Sequence, residues 1–188
     1  MRVLLVVFAL FAAFTLLAAS AQNQQVSNRV DGRAAMIIQL STNSFTPGGK
    51  IPNNFTCSGA DASPDLSWAA PPAGAQSFVL IVDDPDAPAG TWNHWLLYNI
   101  PPSVHELPEE QPRTSELANG ALQGKNDFGK VGYNGPCPPP GKPHRYFFRL
   151  YALDTKLDLK SGADRRTLDQ AIKGHVLAQG ELMGTFGR

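Results

Sequence analysis

The chain has 188 residues, with 16 Lys and Arg balancing 16 Asp and Glu and a formal net charge of zero. Neither a basic stripe nor an acidic tail breaks that balance, which argues against nucleic acid as a partner, since binding it relies on a concentrated positive footprint.

The first segment reads as a leader. Arg2 supplies a minimal positive charge, Val3 to Leu17 is an apolar run broken by Thr15, and Ala19-Ser20-Ala21 has the small-x-small form of a cleavage site. A membrane span needs roughly 20 apolar residues, and this run falls short. Residues 1–21 are therefore expected to be a cleaved signal peptide, with the mature chain starting at Gln22. The protein is expected to be secreted or periplasmic rather than integral to a membrane. Residues 22–35 are rich in Gln and Asn, lack apolar periodicity and read as a disordered linker. Residues 36–188 are the usual size of one domain and long enough to bury a core without staples.

Within the domain, short apolar runs alternate with Pro and Gly turns, which predicts a mostly β fold. Met36 to Leu40 reads as a first strand and Thr46-Pro47-Gly48-Gly49 as a turn. Phe78 to Val82 is continuously apolar and predicts a central strand buried on both faces. Trp92 to Ile100 follows. Period-two alternation sets Trp92, His94, Leu96 and Tyr98 on one face and Asn93, Trp95, Leu97 and Asn99 on the other. Residues 101–133 are long, polar and irregular, and such connections are uncommon unless functional or partly structured. Arg145 to Leu153 is the next strand, with His144, Tyr146 and Phe148 on one side. A helix is predicted on the stripe Leu168, Ala171, Ile172, His175 and Val176. Ser161 caps it, with Asp164 in the first turn. A short strand from Glu181 to Phe186 comes last. The pattern is that of a β-rich sandwich with one or two peripheral helices.

Two segments carry the chemistry. One is Asp83-Asp84-Pro85-Asp86-Ala87-Pro88 running on to Asn93-His94-Trp95, and the other runs from Gly135-Pro136-Cys137-Pro138-Pro139 to His144-Arg145-Tyr146. Each joins a proline-stiffened turn to a histidine at the mouth of an apolar strand, which builds a small rigid polar pocket on a sheet rim. With the strands paired as a hairpin, the Asp84 carboxylate is expected to reach the His94 imidazole, fix its tautomer and favour the imidazolium. His144 and Tyr146, two residues apart, point the same way. Tyr146 reads either as a hydroxyl bonded to backbone or as a neutral donor to an anionic oxygen, and Arg145 as a structural ion-pair or packing residue. Asp86 and Pro88 shape the turn, Asp86 by bonding the backbone two residues on, with a cis X-Pro bond as an option. Two histidines and two carboxylates are donors that zinc accepts. No tight His-x-x-x-His or Cys-x-x-Cys pair accompanies them, so no metal and no cofactor are expected. No Gly-x-Ser-x-Gly elbow is present either. Trp68, Trp92 and Trp95 read as packing residues rather than a cofactor box, Trp92 on the His94 side as part of the pocket wall.

The same segments resemble the signatures of the phosphatidylethanolamine-binding protein family, nearest its bacterial and archaeal Raf-kinase-inhibitor-like branch. So do Phe55-Thr56-Cys57-Ser58-Gly59, Ser63-Pro64-Asp65-Leu66-Ser67-Trp68, Asn126-Asp127-Phe128-Gly129, Gly132-Tyr133 and Glu181-Leu182-Met183-Gly184-Thr185-Phe186. The resemblance covers nearly all of residues 36–188. It implies a large antiparallel sheet packed on a smaller one, with the pocket at one end. It also implies that Asp84, His94, His144 and Tyr146 line a site for phosphate-like or carboxylate-like anions. The main-chain N–H before the paired prolines Pro138 and Pro139, here that of Cys137, completes the site. The resemblance places Cys57 and Cys137 near the pocket. In an exported protein a disulfide between them is expected, with two free thiols as the alternative. Animal members carry a terminal helix over the pocket that has no counterpart here, so kinase inhibition does not transfer.

The function expected is exported binding of a small anion such as a phospholipid head group, without turnover. Two alternatives stand beside it: inhibition or regulation of a partner protease or kinase, and weak hydrolysis with His94 as base and Asp84 as orienter. A homodimer contact through residues 101–133 also stays open.

Overall fold

A computed structural model describes residues 29–30, 33–34 and 36–188; the expected signal peptide and most of the linker lie outside the described residues. Strands β1 (Arg29–Val30) and β2 (Arg33–Ala34) pair with each other. The domain itself has two sheets. The larger is built, from edge to edge, of β3 (Met36–Ile37), β11 (Val176–Phe186), β10 (His144–Leu153), β6 (Ser77–Asp84), β7 (Trp92–Ile100) and β9 (Leu122–Gln123). The smaller is β4 (Leu40–Ser41), β5 (Leu66–Trp68) and β8 (Glu106–Leu107).

The expected strand over 36–40 is divided between the sheets. Met36 and Ile37 pair in parallel with Ala178 and Gln179, whereas Leu40 pairs antiparallel with Trp68. Met36 and Ile37 are exposed while Ile38 and Leu40 are buried, and burying the latter pair takes the backbone across from one sheet to the other. The larger sheet is therefore mixed, not purely antiparallel as expected.

Apolar side chains of both sheets meet in one cluster. Leu80, Val82, Trp95, Leu97, Phe148 and Leu150 come from the larger sheet, and Leu40, Leu66, Trp68 and Leu107 from the smaller. On the opposite face Val79, Ile81, Leu96 and Tyr98 pack with Leu168 of α1 (Arg165–Ile172). This two-sided packing accounts for the continuous apolar run at Phe78–Val82, which is buried throughout.

The helix is shorter than its stripe. Asp164, not Ser161, is the N-cap, accepting the Thr167 N–H at 2.8 Å. Gly162 intervenes at φ +83°, a left-handed conformation that cannot start a helix, and Gly174 at φ +82° ends it. Val176 consequently opens β11, which is longer than the expected closing strand, and His175 pairs with Asp154 on the surface. The irregular segment over 101–133 supplies β8 and β9. Its buried Gln123 accepts the Trp95 Nε1–H at 2.7 Å and donates to the Pro112 and Thr114 carbonyls, each at 2.7 Å. Among the described residues no helix is long and apolar enough to cross a membrane.

Gly184 pairs with Tyr146 across β10 and β11, and a Cβ there would lie 2.6 Å from Ile51 Cγ1 and 2.8 Å from Phe45 Cε2. Gly184→Ala is expected to lower the unfolding free energy by about 1–3 kcal/mol through overpacking. Denaturant unfolding checks this, and an unchanged midpoint would show slack at this position.

Candidate functional site

The hairpin of β6 and β7 forms as expected, with Asp84 opposite Trp92 and Asp83 opposite Asn93. The next partner of β6, Val82, lies opposite Trp95. His94 is thus an extra residue in β7, a β-bulge that bends the strand and re-aims a side chain. Strict alternation, which groups His94 with Leu96 and Tyr98, fails at this point. The His94 ring packs nearly perpendicular to that of Tyr146, with centroids 5.3 Å apart, on the side of the inter-sheet cluster. Leu96 and Tyr98 face α1. A second slip lies between Phe78 and Leu80, where Asn99 adopts φ +55°. Its side chain turns to bond the Leu157 N–H and C=O at 2.8 and 2.9 Å instead of sharing a face with Leu97.

The loop after β9 pins the bulge. Asp127 Oδ2 accepts both the main-chain and the side-chain N–H of Asn93 at 2.7 Å. The His94 carbonyl accepts from the Asn134 N–H at 3.1 Å and from Asn126 Nδ2 at 3.3 Å. Asn93 Oδ1 accepts from Arg165 at 2.7 Å, and Arg165 also reaches the buried Asp83 at 3.0 Å. Arg149 closes on the other Asp83 oxygen.

His94 is 2% exposed. Its Nδ1 faces the Asn134 carbonyl at 2.7 Å. A carbonyl can only accept, so Nδ1 carries the proton and Nε2 is left free for another partner. Burial holds the imidazole pKa below its ordinary value, and the Asn134 carbonyl and the Asp84 charge offset only part of that effect. The neutral ring is therefore favoured, the reverse of the imidazolium expected from an Asp84 contact.

Asp84 is committed elsewhere. Its Oδ2 accepts from His144 Nδ1 at 2.8 Å and its Oδ1 accepts the Asp86 N–H at 2.8 Å. The bond to the backbone two residues on, expected of Asp86, is thus made by Asp84. Asp86 instead clamps Arg145 with both oxygens, at 2.7 and 2.9 Å, and is held at a pKa of about 2, chiefly by that guanidinium. No cis bond shapes this turn: the described peptide bonds are all trans, and Pro88 is exposed. The Tyr146 hydroxyl is buried and meets no hydrogen-bond partner among the described residues. Burial first, then the nearby Asp84 charge, raises its pKa and keeps the phenol protonated.

The segment from Gly135 to Pro143 passes as a strap beside these side chains. Cys137 is disulfide-bonded to Cys57, 80 residues away, and the Cys57 N–H donates to the Pro136 carbonyl at 3.1 Å. The Gly135 N–H donates to Asp61 at 2.6 Å, and a Cβ at Gly135 would run into the Phe55 carbonyl. Arg188 Nε donates to the Pro138 carbonyl at 2.7 Å. Pro138 is buried and Pro139 exposed.

A family model described as phosphatidylethanolamine-binding protein matches residues 41–187. The chain belongs to that family. It is 50% identical over 151 residues to the UPF0098 protein of Methanothermobacter thermautotrophicus, covering 80% of this chain and 99% of the relative. Among solved structures it is similar to Escherichia coli YbcL, a member of the mammalian family, with 34% identity, a TM-score of 0.75 and coverage of 80% and 98% of the two chains. It is also similar to a phosphatidylethanolamine-binding protein homolog from Chlamydia trachomatis, CT736, with 40% identity, a TM-score of 0.73 and coverage of 82% and 99%.

In this member of the family, then, His144 and Tyr146 face one rim with Asp84 and His94, and the Cys137 strap runs beside them. The expected Asp84–His94 bond is not made, since Asp84 bonds His144. Four residues around the rim were not legible as such: Asn126, Asp127 and Asn134, which hold the bulge, and Phe128. The Phe128 ring stands edge-to-face against Trp92 at 5.5 Å and against His94 at 5.3 Å. The Asn126-Asp127-Phe128-Gly129 turn was the only signal for its own residues, and Asn134 had none. Two open hollows lie elsewhere, one of about 560 Å³ beside α1 and one of about 370 Å³ at Asp61, Arg113 and Tyr133; neither includes His94, His144 or Tyr146. One arginine in each is already paired, Arg165 with Asp169 and Arg113 with Asp61. Among the described residues no three His, Cys, Asp or Glu side chains gather so as to hold a metal ion.

Two outcomes are expected from this geometry. Because the folded-state pKa of His94 lies below its unfolded value of about 6.5, the unfolded chain binds more protons there. The corresponding stability is present above that unfolded value and is lost as pH falls through the folded pKa. Wild type should lose more unfolding free energy than His94→Gln between pH 7.5 and 5, and parallel losses in denaturant titrations would contradict this. Opening the disulfide with reductant, or with paired Cys57→Ser and Cys137→Ser changes, should cost up to about 4–5 kcal/mol in the chain-entropy account. Unfolding midpoints with and without reductant give the comparison.

Proposed function

We propose that this protein is an exported binder of a small anionic group, phosphate-like or carboxylate-like, and acts by holding it rather than by turning it over. The observation that carries this reading is the Tyr146 hydroxyl, a buried donor that makes no hydrogen bond of normal length among the described residues, with the Asp84 carboxylate acting on it only at longer range. Leaving such a group unsatisfied costs about 1–3 kcal/mol, and a ligand oxygen placed beside it recovers that cost. His144, oriented through Nδ1 by Asp84, and His94, held through Nδ1 by Asn134, each keep Nε2 free for the same guest. The main-chain N–H of Cys137 is a further donor in this reading, and the strap that carries it is fixed before any ligand arrives. Membership of the family supports ligand binding in general, and the head group in the family's description is one anion of this chemistry.

The charge balance sets a condition. Asp84 already accepts from His144, so an incoming anion is accommodated only with a proton to share, on His94 or on the ligand itself. Binding an anion at His94 raises a pKa that burial had lowered. A proton is therefore taken up on binding, and affinity falls as pH rises through the ligand-bound pKa. Of the alternatives, hydrolysis by a His94–Asp84 pair loses its orienter, because Asp84 bonds His144. Cys137 is unavailable as a nucleophile while it is bonded to Cys57. Export rests on Arg2, the Val3–Leu17 run and Ala19-Ser20-Ala21.

His94→Ala is expected to weaken a phosphorylated head-group analogue by about 1.5–3 kcal/mol, the range for a hydrogen bond to a charged group. Tyr146→Phe should cost the ligand about 0.5–1.5 kcal/mol while leaving the stability of the free protein unchanged or raised. Titration calorimetry and thermal melts of both variants decide. A Tyr146→Phe protein that is destabilised yet binds normally would make the hydroxyl a structural group. N-terminal sequencing of the native protein should find Gln22, and an intact Met1 on membrane-bound material would refute export.

A further inference from the structure

The Phe128 ring is held out toward solvent by a rigid turn. Asn126 Oδ1 accepts the N–H of Phe128 and of Lys130, each at 3.1 Å, and the Asn126 N–H donates to the Lys130 carbonyl at 2.8 Å. The Asp127 N–H donates to the Asn93 carbonyl at 3.0 Å and the Gly129 N–H to the Asn126 carbonyl at 3.0 Å. Asn126 itself is buried and tied to the Gly132 carbonyl and to Asn134. Three main-chain bonds and two to the Asn126 side chain, within and beneath one turn, leave little play. The phenyl group at its tip is nevertheless 38% exposed, although exposed hydrocarbon has an unfavourable free energy in water.

Its place is specific. The His94 ring lies against Phe128 on one side and Tyr146 on the other, at 5.3 Å from each. Tyr146 is buried, so Phe128 is the solvent-side neighbour, and half-buried Trp92 extends the same aromatic surface. A group that bonds His94 and also extends outward from the rim runs along these rings.

We propose that Phe128, with Trp92 behind it, is a specificity wall that selects anions carrying an apolar substituent, such as alkyl phosphate monoesters, over free phosphate. The inference rests on the anion site proposed above and names the substituent that accompanies the anion. The occupant is hydrocarbon rather than a cation because the two carboxylates felt at His94 are already engaged, Asp127 through Oδ2 with two N–H groups of Asn93 and Asp84 with His144 and the Asp86 N–H. Covering an exposed phenyl face also releases water from both partners, a gain that inorganic phosphate cannot obtain.

The test uses the whole mature protein and three probes: inorganic phosphate, hexyl phosphate and phosphoethanolamine. Titration calorimetry on wild type should show hexyl phosphate binding about tenfold tighter than inorganic phosphate, the size expected for burying one or two methylenes' worth of additional contact against a ring. Phe128→Ala should abolish that preference and Phe128→Leu should keep most of it, with inorganic phosphate unchanged within about twofold in all three proteins. Equal affinity of the two phosphates in wild type, or an equal loss of both in Phe128→Ala, overturns the wall. A gain for phosphoethanolamine that matches or exceeds that of hexyl phosphate overturns the apolar occupant in favour of a cation. If none of the probes binds wild type, the anion site itself is refuted, and the wall with it.

Discussion

One extra residue in β7 organises this rim. A regular strand would present His94 to α1, beside Leu96 and Tyr98, and the His94 ring would not meet Tyr146 on the other side. Because Val82 pairs with Trp95 while Asp83 pairs with Asn93, the chain turns His94 toward Tyr146 and keeps Asn93 on the helix side. Two adjacent polar residues thus serve opposite faces of the same sheet. Asn93 joins a desolvated ionic cluster in which the buried Asp83 is met by both Arg149 and Arg165. Truncating either arginine would leave a buried carboxylate short of a partner, which is far costlier than loss of a surface ion pair. The same cluster anchors the strand on which His94 sits, so the chemistry of the front face depends on electrostatics at the back.

How much of this was legible depends on the locality of the signal. The strands at Phe78–Val82 and Trp92–Ile100 show in the apolar pattern because they are buried along all or nearly all of their length, and Arg145–Leu153 shows because alternate residues are buried. The side chosen for His144, Tyr146 and Phe148 holds because β10 pairs with β11 in unbroken register from His144 to Ala152. On β7 the same reasoning fails, since a bulge is set by the bonds that Asn126, Asp127 and Asn134 make from a distant loop, and no residue type near His94 announces them. Asp84 has two histidines within its neighbourhood, one on each flanking strand, and the local hairpin suggested the wrong one. The helix stripe ran past its true end because Gly174 breaks the helix while Val176 keeps the apolar phase. The turn carboxylates exchanged roles for a similar reason: Asp86 is drawn away by Arg145, 59 residues on.

Rigidity is the other property of the site. The strap is fastened at four points, by the disulfide, by Asp61 on Gly135, by the Cys57 N–H on Pro136 and by Arg188 on Pro138. Little conformational entropy remains to be lost when a guest arrives, and preorganisation of this kind favours affinity. His94 and Tyr146 are buried, while Phe128 against His94 is exposed.

The order of strands in the larger sheet also bears on how these molecules behave toward one another. Its two outermost strands, β3 and β9, are each two residues long, whereas the four inside run from eight to eleven. An open strand edge is a template on which another chain can hydrogen-bond, and a long flat edge invites aggregation. Here the exposed row of unpaired amides is cut to almost nothing at both margins, and the long central strands are shielded from stacking partners. The fold thus guards itself against edge-to-edge polymerisation in a way that does not draw on net charge, of which the chain has none.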